Sequence, residues 1–236
     1  MKGIVLYRGP SQLDGKPIVV IATGFEGSKN EKTGAMIQTW IMREDIAPHN
    51  AVKSGEDVSV CGDCPNRGTS CYVLTFQAPL VVWKAYHRGI YSEVITVAKA
   101  RQHFAGRSVR IGAYGDPAAV PAKVWHDVAT WSESVTGYTH QWRNPEIAYL
   151  KGYCMASCDS KGDREEAKRL GWRTFRVTTD LEREDREIIC PATTQAELSC
   201  AMCKACGGHG AKARCDVVIE VHGPVIKVNA FRHRFA

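Results

Sequence analysis

Of the ten cysteines in this 236-residue chain, seven fall into two runs whose spacing suits metal chemistry. One run holds Cys190, Cys200, Cys203 and Cys206, three of them at two-residue spacing. Four thiolates suffice for a tetrahedral zinc ion or a [4Fe-4S] cluster. The short C-x2-C-x2-C pattern, with a distant cysteine next to Pro191, favours the cluster over paired zinc knuckles. The other run, Cys61-Gly-Asp-Cys64-Pro-Asn-Arg-Gly-Thr-Ser-Cys71, puts two thiolates within one turn and returns a third to close the loop. It lacks a fourth protein ligand, so it suits a second ion or a cluster with one open iron. Cys154 and Cys158 read as buried apolar residues on a strand, and Cys215 as a spare ligand.

The cysteines carry this meaning only in a reducing compartment. The N-terminal apolar run is too short for a signal peptide, and no run approaches the ~18 apolar residues that span a bilayer, so a soluble, cytoplasmic protein is expected. Hydrophobic content of 44% and charged content of 24% fit a globular chain, and the length suits one α/β domain, residues 1–236, with cysteine-rich insertions at 61–71 and 190–215. A net charge of +6 suits a nucleotide or nucleic-acid partner, or serves solubility alone. Phe231-Arg-His-Arg-Phe235 joins basic and aromatic residues in the way that stacking on bases with phosphate contact requires.

The elements that must position these groups can be read in order. The first clear strand is 17–23, β-branched throughout, and 35–43 alternates as its hairpin partner. A helix opens at Pro48 and stops at Gly55; another opens at Pro79 and ends before Gly89; a third spans 92–104. From residue 108 strands alternate with helices: strands at 108–113, 135–140, 153–157, 173–178, 187–190 and 216–221, helices at 121–130, 145–150 and from a capping-box-like Asp163 to Gly171. Such alternation implies right-handed parallel βαβ units. It predicts an α/β fold with a TIM-like parallel β/α barrel, complete or incomplete, and an open doubly wound sheet as the alternative.

In parallel α/β folds functional groups gather beyond the strand ends. Those loops hold Tyr114-Gly-Asp116-Pro, His140-Gln141-Trp142-Arg143, Asp159-Ser160, Thr178-Thr179-Asp180, Cys190 and His222. Asp116, on a tight turn, is a candidate general base, or else the cap of the following helix. His140 and Asp180 are further candidate catalytic groups, with Tyr114, Gln141, Trp142 and Arg143 as substrate contacts through stacking and anion binding.

Several stretches, among them Cys61-Gly-Asp-Cys-Pro, Gly112-Ala-Tyr-Gly-Asp-Pro-Ala-Ala119, Thr136-Gly-Tyr-Thr-His-Gln-Trp142 and the Cys190 segment, resemble a family of uncharacterised cysteine-rich proteins of phages and mobile elements. That resemblance implies a phage or mobile-element setting. The cysteine loop followed by Cys71-Tyr72, together with the barrel-like alternation, is loosely similar to radical S-adenosylmethionine enzymes, which implies an Fe–S cluster and S-adenosylmethionine as a cosubstrate. The expectation is an Fe–S enzyme that modifies a nucleotide or nucleic acid. The alternatives are a zinc-stabilised nucleic-acid-binding protein without activity, and a base-exchange or hydrolytic barrel enzyme that uses Asp116 as nucleophile beside a structural zinc.

Overall fold

The structure, a computed structural model, describes residues 2–27, 30–93, 97–195 and 197–235. Ten strands form one sheet: β1 (Gly3–Pro10), β2 (Pro17–Thr23), β3 (Ile37–Arg43), β4 (Ser92–Glu93), β5 (Ser108–Tyr114), β6 (Ser134–Thr139), β7 (Met155–Cys158), β8 (Thr174–Thr178), β9 (Glu187–Ile189) and β10 (Asp216–Glu220). Their order is β4-β1-β2-β3-β5-β6-β7-β8-β10-β9. Only β1–β2 and β2–β3 pair antiparallel; from β3 to β9 every neighbour is parallel. The helices are α1 (Pro48–Ser54), α2 (Val58–Cys61), α3 (Ala78–His87), α4 (Val97–Phe104), α5 (Ala122–Trp131), α6 (Lys161–Arg169), α7 (Pro191–Thr194), α8 (Cys200–Cys203) and α9 (Val225–Phe235).

The mixed α/β class and the mostly parallel sheet agree with the sequence reading. The sheet is not closed among the described residues, where β4 and β9 form its two edges. Three elements differ from expectation. β1 precedes the first expected strand and pairs with β2 from Gly3↔Thr23 to Pro10↔Pro17, although Arg8, Gly9 and Pro10 dilute its β-branched pattern. The helix expected over 92–104 starts at Val97, and Ser92–Glu93 pairs with Ile4 and Val5; positions 94–96 lie outside the described residues. α6 begins before Asp163: Ser160 is its cap and accepts from Asp163 N at 3.0 Å. The basic-aromatic cluster at 231–235 is the last part of α9, with Phe231 buried.

Parallel register sorts the β5–β8 side chains onto two faces. Val109, Ile111, Ala156 and Cys158 share one face and join the apolar core with Trp125 and Val128 of α5 and Ala167 of α6. Cys154 and Cys158 are fully buried, as read from the sequence. Gly137 is required here, because a Cβ would lie 2.6 Å from Ile111 Cγ1 and 2.9 Å from Cys154 Sγ. The opposite face carries Arg110, Thr136, Tyr138, Met155, Ser157 and Phe175. The Cys190–Cys206 segment is fastened to the β2–β3 loop through backbone bonds from Cys200 N to Lys32 O (2.8 Å) and Ala201 N to Thr33 O (3.2 Å), and to β6 through Gly137 N to Cys206 O (3.3 Å). Among the described residues no helix is long and apolar enough to cross a membrane.

Candidate functional site

The loop that leaves α2 is folded by its own backbone. Gly62 sits at φ 59°, ψ −138°, where a side chain is strained, and its Cβ would lie 2.5 Å from the Gln141 amide. Cys64 N donates to Cys61 O at 3.3 Å, and Cys71 N returns to Asn66 O at 2.9 Å. Arg67 locks the turn, donating to Gly62 O (2.9 Å), Gly55 O (2.8 Å) and the Asp57 carboxylate (2.8 Å). The three thiols are neighbours. Burial, then the charges of Cys71 and Cys64, push the Cys61 thiol well above its ordinary range; burial, with Cys64 adding to it, also raises Cys71.

His140 enters this group from the end of β6. Its Nε2 lies 3.1 Å from Asp159 Oδ2, and the ring is within electrostatic reach of the Cys64 thiol. Asn66 Nδ2 donates to both Asp159 oxygens at 3.1 Å, so the cysteine loop and the end of β7 hold one carboxylate between them. Burial alone would depress the His140 pKa, but the bond with Asp159 and the interaction with Cys64 outweigh it and hold it well above 6.5. Beside this constellation lies a cleft of about 110 Å³, lined by Asp63, His140, Gln141, Arg143, Asp159 and Asp163 among others. It opens beyond the C-terminal ends of β6 and β7, where open parallel sheets bind ligands.

The other strand-end candidates have defined places. Asp116 is buried, and all its bonds are internal: Oδ1 accepts from Ala118 N (2.9 Å) and Thr139 Oγ1 (2.8 Å), Oδ2 from His140 N (2.8 Å). It is the cap of the turn at Pro117–Ala119 and a tie to the His140 loop, which is the second of the two roles read for it. Burial raises its pKa against those hydrogen bonds. Gln141 donates to Cys61 O at 3.2 Å, and Trp142, 2% exposed, to Ser157 O at 2.9 Å, so both act as internal struts. Arg143 stacks over the Trp142 ring at 3.8 Å and is held by Asp163 and Glu166, each at 2.7 Å. Tyr114 is buried, with a hydroxyl that has no hydrogen-bond partner among the described residues; burial and then the charge of Cys61 lift its pKa well above 10. Asp180 is apart from this group: its Oδ1 accepts from Thr178 Oγ1 (2.8 Å) and Glu182 N (3.0 Å) in a local turn. Those bonds, the one from Glu182 N first, hold its pKa low.

The second cysteine group gathers on the face of Arg110 and Tyr138. Burial first, then the charges of Cys190, Cys200 and Cys203, raise the Cys206 thiol to about 12, so all four thiols are within electrostatic reach of one another. Burial first, then the charge of Cys206, lift the Tyr138 pKa well above 10. Among the described residues, no three Cys, His, Asp or Glu side chains are converged on a common point as a metal-ion site. Cys215 uses its carbonyl to accept from Arg173.

Arg110 was not visible as a site residue in the sequence, although a cation inside an apolar strand is a signal. It donates to Tyr72 Oη at 2.6 Å, its guanidinium carbon lies 5.7 Å from the Tyr138 ring centre, and its Nε is buried with no hydrogen-bond partner among the described residues. The charge of Tyr72 first, with Tyr138 and Cys200 adding to it, raises its pKa against the effect of burial. Arg110 thus stands between the two cysteine groups, with Cys71 next to Tyr72 on one side and Cys200 on the other. Asn66 was also missed, because its role depends on a contact between distant loops. Comparison with protein-family models, curated proteins and solved structures gave no match to this chain.

Proposed function

We propose that this protein is a metal-centred enzyme that carries a [4Fe-4S] cluster on Cys190, Cys200, Cys203 and Cys206 and modifies a nucleotide or nucleic acid. The observation that carries this reading is Arg110, a fixed charge suited to phosphate that lies within electrostatic reach of Cys200 and whose Nε has no hydrogen-bond partner among the described residues. A substrate phosphate on Arg110 would put the rest of a nucleotide next to the thiol group and the Tyr138 ring. We read the mostly parallel sheet as an incomplete TIM-like barrel, with the face of Arg110, Tyr138 and Phe175 turned inward and α5 and α6 outside. The strand-end cleft beside His140 and Arg143 is the entrance.

The four thiols would hold the cluster, with the Tyr138 ring close enough to Cys206 for each to shift the other's pKa. A cluster supplies one-electron chemistry when bound. The resemblance to phage and mobile-element proteins supplies the setting, a host cytoplasm, and the looser resemblance supplies S-adenosylmethionine as a possible cosubstrate to be tested. Anaerobic purification followed by absorption spectroscopy and analysis of iron, sulfide and zinc tests the reading. Four irons and four sulfides per chain, lost in Cys200→Ser with Cys203→Ser, are expected. A colourless protein with zinc and neither iron nor sulfide would overturn it and leave the zinc-stabilised nucleic-acid-binding protein in its place.

A further inference from the structure

We infer that Cys61, Cys64, Cys71 and His140 form a separate structural zinc site, with Asp159 as the residue that orients His140. The spacing of the cysteine loop supplies three thiolates and no fourth ligand; the fold supplies the fourth from the end of β6. Three observations converge on this assignment. His140 Nε2 meets Asp159 at 3.1 Å and Asn66 of the cysteine loop at 3.5 Å, and Asp159 is itself fixed by two bonds from the same Asn66, with the Cys64 thiol in electrostatic reach of the ring. A carboxylate on one ring nitrogen of a histidine that meets a metal with the other is the usual support of a zinc ligand. The cysteine end of the loop is tied independently, by Gln141 Nε2 to Cys61 O at 3.2 Å in the His140 segment and by Asp116 N to Val60 O at 2.6 Å in the turn after β5. Tyr114, 4% exposed, has a hydroxyl with no hydrogen-bond partner among the described residues, and the charges of Cys61 and Cys71 act on it.

The charges also fit. Three thiolates and a neutral imidazole around Zn²⁺ leave a net charge of about −1, with Zn–S bonds of about 2.3 Å once the sulfurs draw in. Arg67 and Lys227 flank the group and offset that charge; Lys227 also donates to Thr69 O at 2.6 Å. Four protein ligands close the coordination sphere, so the ion holds the loop over the ends of β5 and β6 and takes no substrate. The assignment is independent of the metal at Cys190–Cys206.

The full chain carrying Cys200→Ser and Cys203→Ser isolates this site from the other. It is expected to retain one zinc per chain, and Co²⁺ in its place is expected to give the visible bands of a tetrahedral thiolate-rich centre. Adding Cys64→Ser or His140→Ala should abolish both signals, and His140→Cys should restore one metal with a spectrum shifted toward four sulfurs. Asp159→Asn should keep the metal at 10- to 100-fold lower affinity in a competition titration with a chromogenic chelator. Full zinc content and an unchanged cobalt spectrum in the His140→Ala background would overturn the site, as would iron and sulfide bound there. If His140→Ala fails to fold, His140→Cys decides: a folded protein that holds no metal also overturns it.

Discussion

Arg110 Nη2 donates to the Tyr72 hydroxyl at 2.6 Å, which joins the middle of β5 to the residue after Cys71. A substrate phosphate would meet a guanidinium already held at one corner, whose buried Nε has no hydrogen-bond partner among the described residues. Arg110→Gln keeps a polar side chain and removes the charge. A loss of at least about tenfold in affinity for a nucleoside triphosphate is expected, by equilibrium dialysis with labelled ATP, since bonds to a charged group contribute about 1.5–3 kcal/mol. Unchanged binding would remove Arg110 from the proposed site.

Asp116→Asn tests the structural role of that carboxylate. The asparagine can keep the bonds from Ala118 N and Thr139 Oγ1, but its NH2 then faces His140 N–H, which loses its acceptor. Destabilisation of about 2 kcal/mol in urea unfolding is expected, with metal content unchanged in the folded protein.

Glu187 sits, with its side chain fully buried, between Arg176 (2.7 Å) and Arg164 (3.1 Å). Burial alone would raise its pKa, but the bond with Arg176 wins and holds it below 4.5. A carboxylate lowered in the folded state stabilises the fold fully above the unfolded pKa, and that contribution disappears as pH falls through the folded value. Stability should therefore drop below about pH 4.5 with a component that Glu187→Gln lacks. At neutral pH the variant should lose about 3 kcal/mol or more, because the buried Arg176 loses its ion-pair partner and Arg164 is left with the longer ion pair to Asp216 at 3.7 Å. A flat difference between variant and wild type across pH 3–6, followed by thermal unfolding, would contradict this.

Gly62→Ala forces a side chain into φ 59°, ψ −138° and against the Gln141 amide. The strain is about 1–3 kcal/mol, and the cheapest relief is to displace the turn between Cys61 and Cys64. Faster zinc release to a chelator is the expected result, while Gly68→Ala, whose Cβ would meet nothing within 4 Å, serves as the control for positive φ alone (65°).

Much of the frame was legible because it rests on local signals. The run Pro17–Thr23, the helix stop at Gly55 and the alternation after Ser108 each follow from residue type at short range, and the structure has β2, α1 and the β5–β8 units there. β1 was not legible: its pairing with β2, and not its own composition, makes it a strand. The same division holds at the site. Spacing revealed two cysteine groups, but the approach of His140 and Asp159 to Cys64 is set by β6 and β7 ending side by side, which no local pattern encodes. Asp116 shows the converse, since a tight exposed-looking turn in the sequence is an internal cap once Thr139 and His140 arrive from the next strand.

The cysteine loop is also gripped from the far end of the chain: Lys227 reaches Thr69 across 158 residues, and Arg234 reaches Pro65 across 169. During synthesis, then, Cys61, Cys64 and Cys71 emerge long before their outer clasp exists. Until α9 has left the ribosome the loop lacks that clasp, so its three thiols pass through a stage of synthesis without the outer contacts that hold them in the finished fold.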